Sequence, residues 1–199
     1  MGNNQLRSLI AVLALGLSST VHAAFVGVFG AANANQWFDA AVGFSTIAFT
    51  GLPEGTQVTE QYASQGIHFH LPPWGTGNLV QASEVMYPQD GWGLLGAEVI
   101  KMTFDTPMSA FAAYFPGSAE FEFYSGATFL YSQLRTGDIN NFAGFTSSQS
   151  FDRVMMRADV PVNFGLFADN VYFSPVPAPS VLALAAVAGV SRRARRGRA

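Results

Sequence analysis

The side chains able to do chemistry in this 199-residue sequence are a few aromatics, two histidines and scattered carboxylates. Trp74 and Trp92 sit among prolines and glycines, with Tyr87 between them. Aromatic faces in loops can stack on the apolar C–H faces of sugar rings, so the three form a candidate carbohydrate site. Packing of the loop back onto a core is the other reading. His68 and His70 are two apart, so on a strand they share a face. Two imidazoles can begin a metal site, but a catalytic zinc takes three protein ligands, and the one other histidine, His22, lies in a segment read below as a leader. They therefore read as surface or loop-contacting side chains. Asp169 has Phe167, Val171 and Phe173 at spacing two. A carboxylate on such a face must be paired, hydrogen-bonded or metal-bound. Hard oxygen ligands suit a structural Ca²⁺ at Asp169; a salt bridge or an exposed strand end is the alternative. Glu120 and Glu122 resemble a carboxylate pair, yet they alternate with Phe121 and Phe123 as a solvated strand face does.

Other catalytic patterns are missing. Residues 91–96 match GxGxxG in form, but a Pro88-Gln89-Asp90 turn precedes them, so they read as turn or loop. No GxxxxGK[ST], HExxH or GxSxG occurs, and no nucleophile is placed beside a base. The expectation is no catalytic residue, no cofactor beyond a possible Ca²⁺ and no enzyme activity.

Composition narrows the class. Hydrophobic residues make up 49% and charged residues 12%, which excludes a disordered chain. The absence of cysteine excludes disulfides, thiolate metal sites and a Cys nucleophile. The net charge of −3 hides an uneven distribution. Arg192, Arg193, Arg195, Arg196 and Arg198 crowd the end, and Arg7 lies near the start. Between positions 24 and 174 only Lys101, Arg135, Arg153 and Arg157 face thirteen acids, a net −9. Such a body repels nucleic acid.

The elements that must position these residues read as short strands. Phe44 to Thr50 is β-rich, and Leu52 to Gly55 is a turn. Gln57 to Ser64 has room for one or two helical turns. Gly66 to Leu71 and Glu98 to Phe104 alternate, and Met108 to Phe115 is apolar on both faces, as a central strand is. Glu120 to Phe123, a Ser125-Gly126 turn and Thr128 to Leu134 form a hairpin. Asn141 to Phe145, Phe151 to Met156 and Phe164 to Phe173 complete the set. Pro72 to Gly96 is the longest irregular segment, and residues 24–43 read as an edge strand or a loose arm. The spacing predicts an all-β, antiparallel sandwich of jelly-roll type over 44–173.

Both ends read as addresses. Residues 1–23 have the form of a signal peptide: Arg7, the apolar run Leu9 to Leu17, then Val21-His22-Ala23 for signal peptidase to cleave after Ala23. Residues 174–199 hold a proline-rich spacer, an apolar helix-prone run over 180–190 and the arginine cluster of 192–198. Eleven helical residues span roughly 16 Å against a hydrocarbon core of about 30 Å, which suits a transient anchor better than a permanent one. Arginines beside an apolar helix stay cytoplasmic, so the body faces outward.

Val176-Pro177-Ala178-Pro179, the apolar run and the arginine cluster together resemble the PEP-CTERM sorting tail of secreted bacterial proteins. Ala178 stands where that motif carries glutamate. The resemblance implies sorting by a membrane-embedded exosortase, tail removal, and delivery from the inner membrane to the surface or an exopolysaccharide matrix. Within the body, Ile47-Ala48-Phe49, Leu52 to Thr56, Gln61-Tyr62-Ala63, Gly66 to Phe69 and Asp169 to Phe173 resemble a galactose-binding-like or carbohydrate-binding-module-like sandwich. Thr50 replaces an acid common in that pattern.

The expectation is thus an exported, non-enzymatic surface or matrix protein that binds polysaccharide through Trp74, Trp92 and Tyr87. A secreted polysaccharide hydrolase using Glu120 or Asp169, and a purely structural adhesive protein, are the competing readings.

Overall fold

Alternating apolar side chains create strands, and in this chain several expected strands fuse into longer ones. A computed structural model describes residues 24–70, 80–84 (backbone alone), 92–137, 139–159 and 165–177. In chain order these contain β1 (Phe25–Phe29), α1 (Ala34–Ala40), β2 (Ser45–Ile47), β3 (Ile67–His70), β4 (Val80–Glu84), β5 (Trp92–Gly96), β6 (Val99–Phe115), β7 (Ala119–Ser125), β8 (Thr128–Arg135), β9 (Asn141–Ala158) and β10 (Leu166–Pro175). Every pairing is antiparallel.

The two segments expected at 98–104 and 108–115 are one 17-residue strand, β6. Those expected at 141–145 and 151–156 are one 18-residue strand, β9. The β6–β9 ladder shifts register between Thr103 and Ala110, where Asp105, Thr106 and Pro107 are exposed. Proline offers no N–H to a ladder, and such irregularities bend strands. Each long strand therefore serves two layers. In the first layer the order is β3, the start of β6, the end of β9, β7 and β8. In the second, β10 lies beside the end of β6, which pairs with the start of β9 and then β1; β5 and β2 take β10's other edge.

The two layers pack like a sandwich around one aromatic core. Ile100, Met102, Phe104, Phe121, Phe123, Val154 and Met156 point inward from the first layer, and Phe111, Phe115, Phe145, Val171 and Phe173 from the second. Phe123 meets Phe145 at 4.8 Å between ring centroids, and Phe121 meets Phe115 at 5.2 Å. Each buried Phe contributes about 1.5–3 kcal/mol of burial, and tilted or edge-on pairs add to it.

Residues 24–43 hold an edge strand and a helix that alternation does not announce. α1 lies on the outer side of the second layer, with Ala34, Trp37 and Ala41 against Ala110, Ala112, Tyr114, Phe142 and Tyr172. This cover explains why the second half of β6 is apolar on both faces. Trp37 is fully buried, and its indole N–H donates to the Phe145 carbonyl at 3.1 Å. A Cβ on Gly144 would meet Trp37 Cδ1 at 2.5 Å, so the close approach depends on glycine.

Two other expectations change. Gln57 to Ser64 yields only a 3₁₀ turn at Ala63–Gln65, closed by Gly66 at φ 79°. The long irregular segment 72–96 contains the β4–β5 hairpin, which extends the second layer from β10. Among the described residues no helix is long and apolar enough to cross a membrane. The helices expected in 1–23 and 180–190 lie outside the described residues.

Trp37→Ala is expected to lower unfolding free energy by about 3–5 kcal/mol, the range for emptying a large aromatic site. Urea denaturation followed by circular dichroism measures it. A loss below about 1 kcal/mol would mean that α1 does not dock through Trp37.

Candidate functional site

Trp74 and Tyr87 lie outside the described residues. Trp92 is not in a loop: it opens β5, pairs in register with Glu84, and packs half-buried against the main core. The GxGxxG look-alike is correspondingly strand from Trp92 onward, not turn.

Asp169 departs furthest from expectation. It is completely buried, which removes the exposed-strand-end reading. Opposite β6, Asp169 pairs with Tyr114 while Val171 pairs with Ala113. That bulge breaks the alternation, so Val171 and Phe173 join the main core while Asp169 sits beside Tyr114, a member of the outer cluster. The Asn170 backbone N–H donates to the Asp169 carboxylate at 2.6 Å. Burial, and then the charge of Asp169, raise the Tyr114 hydroxyl above its ordinary pKa. Among the described residues no three His, Cys, Asp or Glu side chains are grouped to hold a metal.

At the tail, Ser174 and Pro175 finish β10 rather than begin a spacer. The Val176 N–H donates to the Pro107 carbonyl at 3.0 Å. Pro177 closes a groove of about 170 Å³ shared with Ala41, Val42, Ser109 and Ser147. Ala178, Pro179, the arginine cluster, Val21 and Ala23 fall outside the described residues.

The histidines do share the outer face of β3, and they are opposite in character. His68 sits between two carboxylates: Nδ1 is 2.6 Å from Glu60 Oε2, and Nε2 is 2.9 Å from Asp105 Oδ1. Both ring nitrogens can donate only when the imidazole is protonated. The Asp105 hydrogen bond, then that of Glu60, raise its pKa. The pair ties the loop before β3 to the bend of β6. His70 is held below the ordinary value by burial and by the nearby Lys101 charge, and its Nε2 lies 2.6 Å from Thr103 Oγ1.

The arrangement that sequence reasoning missed is the outer face of the first layer. Strand register aligns His68, Thr103, Arg153, Tyr124 and Phe129 in one row across five strands. The next row is His70, Lys101, Met155, Glu122 and Ser132. Arg153 lies over the Tyr124 ring at 4.1 Å, and Phe129 meets that ring edge-on at 5.6 Å. The Tyr124 hydroxyl donates to Glu122 Oε2 at 2.7 Å, and Arg157 Nε donates to Oε1 at 2.7 Å. Glu122 is thus half-buried and paired, not simply solvated. Phe129 is 54% exposed. Alternation over residues 151–157 hinted at Arg153 and Arg157 sharing a face. Nothing local placed Tyr124 and Phe129 beside them.

This face presents an exposed phenyl ring edge-on to Tyr124, hydrogen-bonding groups and cations. Compared with known proteins, the chain matches no family model, no curated protein and no solved structure.

The His68 pairing makes stability depend on pH with a definite sign. A folded-state pKa above the unfolded one means the contribution is complete below about pH 6.5 and is lost as pH rises through the folded value. Urea midpoints taken from about pH 6 to 9 are expected to fall more for the native chain than for His68→Gln. Parallel curves for the two would show that the clamp contributes nothing.

Proposed function

We propose that this chain is an exported, non-enzymatic protein of the cell surface or extracellular matrix that binds polysaccharide on the open face of its first layer. The observation that carries the reading is the Phe129–Tyr124–Arg153 row, an exposed phenyl ring set beside a stacked cation and paired polar groups. Sugar rings present apolar C–H faces to aromatics and hydroxyls to the groups around them. Phe129 has the exposure for this role, whereas Trp92 is half-buried against the core. Trp74 and Tyr87 stay in the proposal as loop contributors.

Export belongs to the same reading. The leader at 1–23 and the tail resembling PEP-CTERM support signal peptidase cleavage, transient anchoring in the inner membrane through 180–190, and release by an exosortase-like enzyme. A jelly-roll arrangement and helices at both termini are part of it, as is a structural Ca²⁺ near Asp169. The hydrolase alternative asks Glu120 or Asp169 to act with a partner acid. Glu120 lies on β7 opposite Arg157, and Asp169 lies on β10 opposite Tyr114, on different layers.

Affinity electrophoresis of the full chain in gels containing single polysaccharides tests the binding reading. Retardation by at least one is expected, weakened about tenfold by Phe129→Ala. No retardation by any polysaccharide would refute binding and leave the structural-adhesive reading. Intact mass of protein recovered from cells and medium tests export: loss of residues 1–23 and of the tail is expected, and a product retaining Met1 and Ala199 in the cytosol would overturn it.

A further inference from the structure

Resting on that reading, we infer that the saccharide bound on this face is an acidic one, its carboxylate or sulfate groups held by Arg153 and Lys101. The body between positions 24 and 174 has four basic residues, and Lys101, Arg153 and Arg157 all stand on this face. Arg157 is already committed to Glu122. Arg153 and Lys101 form no ion pair among the described residues, although the same stretch holds thirteen acids.

Their neighbours explain why. Across the ladders Arg153 faces Thr103 and Tyr124, and Lys101 faces His70 and Met155, so no carboxylate opposes either. Lys101 and Arg153 occupy diagonal positions on adjacent strands, a backbone spacing of about 7–8 Å. Arg153 is half-buried, and its Nε is shut off from water without an acceptor. Taking a guanidinium out of water is unfavourable unless an anion or a ring compensates. Tyr124 supplies the ring, with the guanidinium carbon 4.1 Å from its centre. No described residue accepts from its terminal nitrogens, and a planar fork held this way matches the two oxygens of a carboxylate or sulfate.

A free anion would satisfy the cations but leave Phe129 without a role. Phe129 lies at the end of the same row, exposed and edge-on to Tyr124. An anionic group attached to a sugar ring uses both at once. The net −9 of the body discourages a polyanion elsewhere on the body.

The test is affinity electrophoresis of the full chain in polygalacturonate, dextran sulfate, neutral dextran and neutral galactan. Retardation at least tenfold stronger in one or both acidic gels is expected, and Arg153→Gln and Lys101→Gln should each weaken it about tenfold. Preference for polygalacturonate assigns carboxylate, preference for dextran sulfate assigns sulfate, and both support the inference. Lys101 is on the same face without stacking on a ring, so Lys101→Gln decides if Arg153→Gln fails to fold. Equal retardation by neutral gels, unchanged in both variants, would overturn the acidic ligand and leave polysaccharide binding intact. No retardation in any gel would overturn both.

Discussion

β6 and β9 are each long enough to belong to both layers, and the interior must therefore be filled from two directions at once. Where they bend, at Asp105 to Pro107 on one strand, the ladder slips and then recovers its register. Phe104 and Phe151 meet near that bend at 6.3 Å, and Phe151 lies 5.1 Å from Phe123. Rings packed this way have few alternative arrangements, because interiors are dense and tilted aromatic pairs are directional. The hairpin β7–β8 and the strands β10 and β1 gain their positions by pairing with one of these two strands or by stacking on the rings between them. A change that straightened either long strand would open both layers together.

The outer faces of the two layers have different fates. On the second layer, Ala110, Ala112 and Gly144 keep the surface low enough for α1 to lie on it, and Trp37 fills the seam. The end of β6 and the start of β9 consequently bury both sides. The first layer has no such cover among the described residues. Its outward positions are Thr103, Lys101, Arg153, Arg157, Glu122 and Tyr124, a surface compatible with water through paired and stacked groups. The two outer faces therefore differ in chemistry: one is sealed by α1 and the other is finished with paired and stacked polar groups.

That difference was only partly legible in the sequence. Strict alternation in Glu120 to Phe123 and the Ser125-Gly126 turn give the β7–β8 hairpin directly, because period two and turn chemistry are local signals. The bend at 105–107 reads as a break, since exposed Asp-Thr-Pro looks like a loop; only pairing with β9 shows it to be continuous strand. α1 lacks an acidic first turn, a basic last turn and a capping side chain, so it forms by docking Trp37 rather than by propensity. Counting in twos puts Asp169 with Val171 and Phe173, and one bulge reverses its face. The Arg153–Tyr124–Phe129 row joins residues of three strands through register, which is a long-range property no window of sequence contains.

Arg135 shows why company, and not an orphaned nitrogen, distinguishes a binding arginine. Its Nε is also buried without an acceptor, and its guanidinium lies 3.9 Å from the centre of the Phe29 ring. Yet Arg135 pairs in register with Ala119, an interior position, and Phe29 packs against the main core. There the stacked cation joins β8 to β1, and Phe25 against Tyr131 at 4.7 Å repeats the same junction. Hydrocarbon stem and planar head together fill a seam between layers, a use of arginine in which charge is secondary to shape. Arg153 makes the same contact with an aromatic ring on the face that no described residue covers, next to Lys101, which forms no ion pair among the described residues, and an exposed phenyl ring. The contact is equivalent, so the difference in role comes from which side of the sheet it occupies.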